Sequence, residues 1–94
     1  PISTEYLQWN FPNPFTYETT IVLNITHDVS GTLKIYNTAG HFVKRLYDGS
    51  FTQGNMVFDW KGNDQYNKAV SSDVYYYHLD TEQFSRSGKM LLIK

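Results

Sequence analysis

The residues of this sequence with chemistry to offer are three histidines, a few serines, an oxygen-rich loop and a set of large rings. Histidine changes charge near neutral pH and binds metals through either ring nitrogen, so a catalytic or metal role needs partners at short spacing. His27, His41 and His78 stand in separate segments without metal-like spacing and read as surface or turn residues. A nucleophilic serine sits on a glycine-framed elbow. Ser71-Ser72 and Ser85-Arg86-Ser87 have no such frame and read as solvated loop and strand positions. Between Asp59 and Asp64 the chain offers carboxylate and amide oxygens, from Asp59, Asn63 and Asp64 with Asn67 just beyond. Calcium takes about six to eight oxygens, and the spaced, glutamate-terminated loop of a helical calcium site is missing here. Asx turns account for the same residues without an ion, so Asp59, Asn63 and Asp64 are weak calcium candidates. Trp9, Tyr47, Trp60, Tyr66 and Tyr76 could stack on sugars, but a small domain must bury most of its large rings. Trp60 falls on the same strand face as Met56 and Phe58 and is expected inside. No nucleophile, acid–base pair or metal cluster emerges, so the expectation is a protein that is not an enzyme and takes no cofactor.

These residues must be positioned by one modest domain. The chain has 94 residues and no cysteine, so its core holds without disulfides or thiolate metal sites. Its net charge is −1 with both signs scattered, which argues against a nucleic-acid or anionic-membrane surface. No apolar run approaches the ~20 residues of a membrane helix, so no membrane span is expected. Because the chain opens on Pro1 rather than Met, it reads as a piece of a longer protein. Aromatics reach 17%, led by eight Tyr and six Phe, a mixture that suits pleated strands.

The clearest element is the run 31–46, two strands folded back around Asn37-Thr38-Ala39-Gly40. Leu33 and Ile35 share one face, Thr32, Lys34 and Tyr36 the other, and Gly40 supplies the positive φ of a tight reversal. Val43 and Leu46 resume apolar spacing after the turn. Upstream, residues 1–10 read as a lead-in with a short edge strand through Tyr6, Leu7 and Trp9. Prolines 12 and 14 then stop any ladder, making residues 11–15 a rigid turn. Residues 19–25 form a strand with Ile21, Leu23 and Ile25 inward. Asp48-Gly49 and Gln53-Gly54-Asn55 read as turns around a brief edge strand at Ser50, Phe51 and Thr52. Residues 56–60 and 74–80 alternate as strands, separated by a polar loop over 62–72. A last strand runs over 84–93, where Gly88 suggests a bulge or bend. No segment keeps helical apolar spacing. About seven short strands at intervals of roughly 8 to 12 residues point to an all-β fold, an antiparallel immunoglobulin-like β-sandwich over residues 11–94. It lacks the disulfide and the matching central tryptophan of antibody domains.

Read as an ordered set, several stretches resemble the C-terminal sorting domain of the type IX secretion system. They are Phe11-Pro12-Asn13-Pro14-Phe15 with Thr19-Thr20-Ile21, then Leu33 to Gly40 with Val43 and Leu46. Gly54, Asp59-Trp60-Lys61-Gly62, Val74-Tyr75-Tyr76-Tyr77 and the closing Lys89-Met90-Leu91-Leu92-Ile93-Lys94 complete the set. A near relative is the immunoglobulin-like module named after the flagellar hook-capping protein. The chain departs from the family at Asp73, where a glycine usually precedes the Val-Tyr pair, and at Thr16-Tyr17-Glu18. The resemblance implies a bacterial protein with a cargo domain upstream, carried through the periplasm to the cell surface or the medium. It implies two partners, the secretion translocon and a sortase-like peptidase that cuts before Pro12. The recognition residues it carries over are Pro12, Asn13, Pro14, Lys34, Ile35, Gly40 and Tyr75, with Lys89, Met90, Leu91, Leu92, Ile93 and Lys94. The last strand is expected to leave an edge open to backbone pairing. Competing readings are a structural spacer of a multidomain secreted enzyme and a carbohydrate-binding module.

Overall fold

The computed structural model describes residues 8–94. Seven strands follow in order: β1 (Gln8–Phe11), β2 (Thr19–Ile25), β3 (Val29–Asn37), β4 (Phe42–Phe51), β5 (Gly54–Trp60), β6 (Asp73–Thr81) and β7 (Ser85–Leu92). They make two antiparallel sheets, β1-β2-β5 and β4-β3-β6-β7, which enclose the core between them. This is the expected all-β immunoglobulin-like sandwich, with the fourth strand paired to the third rather than to the sheet of the first, second and fifth. The first described strand is Gln8–Phe11, which straddles the expected boundary at residue 11; Tyr6 and Leu7 lie outside the described residues.

The period-2 pattern places the core as read. Ile21, Leu23 and Ile25 alternate with half-buried neighbours along β2, and Leu33, Ile35, Tyr75, Tyr77 and Leu79 face them from the other sheet. Trp60 is fully buried, its ring 5.6 Å from Phe15 and 5.1 Å from Tyr75. Trp60 thus lies inside on β5, as its strand face indicated. At the β3–β4 turn, Gly40 takes a φ of 84°, and the Asn37 side chain accepts bonds from the amides of Ala39 (3.0 Å) and His41 (2.9 Å).

Three expectations need correction. Asp48-Gly49 is not a turn, and no separate strand begins at Ser50: β4 runs unbroken through both to Phe51. The β3–β4 register shifts twice, leaving Val43 and Leu46 as extra residues on β4. Two apolar residues three apart cannot share a face of a regular strand, and the two bulges are what bring both toward the core. Nor is Gly88 a bulge, since β6 and β7 pair without a shift from Asp73↔Leu92 to Asp80↔Ser85. Its missing side chain makes room instead, because a Cβ there would run into the Tyr77 ring.

Candidate functional site

Two stretches far apart in sequence meet at one rim of the sandwich. The turn after β1 carries the chain from the three-stranded sheet to the outer edge of β7. Thr19, a buried polar residue, holds the turn: its hydroxyl donates to the Pro12 carbonyl at 2.7 Å and accepts from Asn10 Nδ2 at 3.2 Å. Asn13, between two prolines that follow cis peptide bonds, turns its amide onto β7. Its Nδ2 donates to the Lys89 carbonyl at 3.2 Å, and its Oδ1 accepts the Leu91 amide at 2.9 Å. Phe15 continues the ladder with backbone, donating to Leu91 O and accepting from Ile93 N, both at 2.9 Å, as a parallel bridge. The edge of β7 expected to stand open is thus sealed from the Lys89 carbonyl to the Ile93 amide by this chain's own turn. An unpaired strand edge invites pairing with another chain, and here a side-chain amide mimics the missing strand.

The residues named by the resemblance divide into two groups. Pro12, Asn13, Pro14, Lys89, Ile93 and Lys94 are exposed at this rim, with Leu91 half-buried among them. Met90 and Leu92, on the same strand, point into the core, as do Ile35 and Tyr75. Tyr75 lies against Trp60 and donates its hydroxyl to the Ser71 carbonyl at 2.7 Å; burial pushes its phenol up from 10.0. Lys34 lies in β3 opposite His78, and Gly40 sits in the β3–β4 turn, apart from the rim. The exposed six, with the half-buried Leu91 and Lys34, present side chains that a partner can touch. The clamp by Asn13 was not legible beforehand, because asparagine beside proline reads first as a residue bonding its own turn.

The calcium candidates do not assemble. Asp59 accepts the Thr20 hydroxyl across the β2–β5 ladder at 2.9 Å. Asn63 Oδ1 accepts the Lys44 ammonium at 3.2 Å, so a side-chain cation already holds that oxygen, while its Nδ2 bonds Asn67. Asp64 takes the amides of Tyr66 (2.9 Å) and Lys68 (3.0 Å). Among the described residues no three of His, Cys, Asp and Glu converge on a point. The histidines also stand apart: His27 bonds Thr26 and Gln83, His41 closes the β3–β4 turn, and His78 bonds Ser87 Oγ at 2.8 Å.

Asp64 has a measurable signature. The Lys68 amide above all holds its carboxyl below 3.8 against desolvation, with lesser help from the Tyr66 amide and the Lys68 and Lys44 ammonium groups. A lowered folded value means the loop's stabilisation is present above the unfolded carboxylate value and is lost as pH falls through the folded one. An NMR titration should place the Asp64 midpoint below 3.8, with the Tyr66 and Lys68 amide shifts following it. A midpoint at or above that value would remove the turn as the cause.

The rings named for sugar stacking are dispersed. Trp60 is in the core and Tyr47 packs on Phe51 and Phe58 at 5.0 and 5.3 Å, whereas Trp9 and Tyr66 are exposed in different elements. Tyr76 alone lines a groove, of about 350 Å³, with Tyr36, Asn37, Thr38, Gly40, His78 and Ser87. Among the described residues no helix is long and apolar enough to cross a membrane.

Fold and rim together define an immunoglobulin-like β-sandwich module whose first turn is strapped to its last strand. No family model matches the chain, and no curated protein matches it. Among solved structures it is similar to PorZ, described as an essential bacterial surface component of the type-IX secretion system of Porphyromonas gingivalis. The TM-score is 0.63 at 20% identity, covering 93% of this chain but 11% of that one, so the likeness is one of fold.

Proposed function

We propose that this chain is a non-catalytic sorting module that directs a cargo domain of the same protein through the bacterial type IX secretion system to the cell surface or the medium. The observation that carries the reading is the meeting of Pro12, Asn13 and Pro14 with the strand that ends at Lys94, two separate stretches of the resemblance that form one exposed rim. The fold likeness to a component of that system supports it. The translocon reads the rim from outside, through Pro12, Pro14, Lys89, Ile93 and Lys94. Core residues such as Ile35, Tyr75, Met90 and Leu92 serve by shaping the strands. The sortase-like peptidase then cuts upstream of Gln8, because Gln8 to Phe11 are paired with β2.

The test fuses this chain behind a periplasm-targeted reporter in a bacterium that carries the secretion system. Deleting residues 89–94 would confuse recognition with folding, since it strips Met90 and Leu92 from the core. Charge reversal of the exposed pair, Lys89→Glu with Lys94→Glu, leaves the core intact. The parent chain should carry the reporter out, and the reversed pair should strand it in the periplasm. A reporter left in the periplasm behind a folded parent chain defeats the sorting reading and leaves the structural spacer. The groove at Tyr76 favours one further reading, saccharide binding by ring stacking. A glycan array with the folded chain, repeated with Tyr76→Ala, decides that one.

A further inference from the structure

The two long seams of the sandwich are unlike. Along one, the turn after β1 crosses to β7 and seals its last half, from Lys89 to Ile93. Along the other, β5 and β4 are the outer strands of their sheets, and among the described residues no strand pairs with the outer side of either. The apolar residues on this side, Leu46, Tyr47, Met56 and Phe58, pack on the core yet remain only partly buried. Strand edges are normally protected by bulges, prolines or charges. Pro12 follows β1 directly, and β4 carries two bulges along with Lys44, Arg45 and Asp48. β5 has none of these devices: it pairs with β2 over all seven residues without a shift, holds no proline and carries a single charge, Asp59.

The face beside this edge is apolar. Trp9, Val22 and Val57 lie side by side across β1, β2 and β5, and Trp9 and Val57 are 47% and 59% exposed. The row stops at the bare edge of β5. We infer that β5 is a docking edge for a second copy of this chain, added antiparallel through β5 of each copy with Val57 facing Val57.

The sequence of β5 selects both the occupant and the register. In a two-fold antiparallel pair, residues directly opposite share a face, so only pairings of like-facing residues are allowed. Centred on Val57, the outer row runs Trp9, Val22, Val57 and then the same three in reverse, one apolar stripe across six strands. The same register sets Asn55 opposite Asp59 of the other copy, twice. Asn24 already donates to Asn55 Oδ1 at 3.1 Å, which turns the Asn55 amide nitrogen free to donate to that carboxylate. On the inner side Met56 meets Phe58 of the other copy, a sulfur–aromatic pairing that covers the part-exposed seam. Shifting the centre to Phe58 would set Val57 against Asp59, and shifting it to Met56 would set Val57 against Asn55. The Val57 register alone keeps apolar with apolar and leaves no like charges opposed.

Sedimentation velocity of this chain over a concentration series tests the inference, which is independent of the sorting reading. The chain should pass from monomer to dimer and stop there, because a two-fold edge contact closes at two. Val57→Lys sets two ammonium groups opposite each other and should abolish the dimer. Asn55→Asp keeps the acceptor for Asn24 but sets carboxylates against Asp59 at two places, and should weaken the dimer roughly tenfold. Asn55→Lys supplies the opposite charge there and should tighten it severalfold. Both positions are exposed, so thermal melts of the variants at a concentration where the parent is monomeric should stay at the parent value. A chain that stays monomeric at millimolar concentration overturns the inference. So does association that ignores Asn55→Asp and Val57→Lys, or that grows past two copies.

Discussion

Trp60→Ala should cost about 3–5 kcal/mol, the range for truncating a fully buried large ring, and leave the sandwich close to unfolding. Trp60 has no exposed surface and its ring lies between Phe15, behind the sealed seam, and Tyr75 in the opposite sheet. Its Nε1 also donates to the Asn63 carbonyl at 2.9 Å, so one side chain anchors the long loop as well as the core. A domain of this size holds only about 5–15 kcal/mol in total. Trp60→Phe separates the two roles: it keeps a ring against Phe15 and Tyr75 but loses the hydrogen bond and part of the volume, for about 1–3 kcal/mol. Urea unfolding followed by circular dichroism reads both variants, since fluorescence would report only the half-exposed Trp9. A Trp60→Ala variant within 1 kcal/mol of the parent would show that the cavity collapses and that Trp60 does not centre the core.

The strands were legible where one face is dry and the other wet. In β2 and β6 the period-2 pattern leaves one face for Ile21, Leu23 and Ile25 and one for Tyr75, Tyr77 and Leu79, and the structure buries both sets. Reading failed where a residue type served a purpose other than its usual one. Asp48-Gly49 has turn composition, yet it pairs with Thr32 and Gly31 inside β4, where Gly49 takes a positive φ of 149° that a residue with a side chain rarely adopts. The apolar pair Val43 and Leu46 carried the sign of a bulge in its odd spacing, since only an extra residue restores the face. Gly88 looked like a bend because a strand glycine often marks one, and what demands it is a ring from the neighbouring strand.

The candidate site shows the same division. Composition and turn chemistry marked Pro12, Asn13 and Pro14 as rigid, and the resemblance marked the last strand. That the two touch depends on a crossing between sheets, which no local pattern encodes. The weak calcium candidates show a related limit: oxygens adjacent in sequence take separate partners once Asp59 is fixed in a strand and Asp64 in a turn. One consequence joins the two seams. The chain uses Asn13 and Phe15 to close the edge of β7, leaving β5 as the long, regular edge on the other side. The surface available to a partner strand therefore lies away from the rim that carries Pro12, Asn13 and Pro14.

Gly88→Ala should destabilise the fold although strand propensity alone argues the reverse. Glycine in a strand interior is about 0.5–1 kcal/mol less favourable than alanine, so a methyl group in open space would help. At Gly88 the space is filled. Tyr77 sits directly opposite in the β6–β7 register, and its ring lies where the new Cβ must go. Tyr77 is 2% exposed and cannot swing aside without displacing neighbours. Forcing extra volume into a packed site costs about 1–3 kcal/mol, which outweighs the propensity gain and sets the sign. Shortening the obstacle should reverse it. In a Tyr77→Leu background the outer ring atoms that meet the Cβ are gone, and Gly88→Ala should become neutral or slightly stabilising. The coupling across the double-mutant cycle is then about 1–3 kcal/mol, far above the few tenths expected of positions that do not touch. Equal effects of Gly88→Ala in both backgrounds, read from urea midpoints, would rule out the ring as the reason for this glycine.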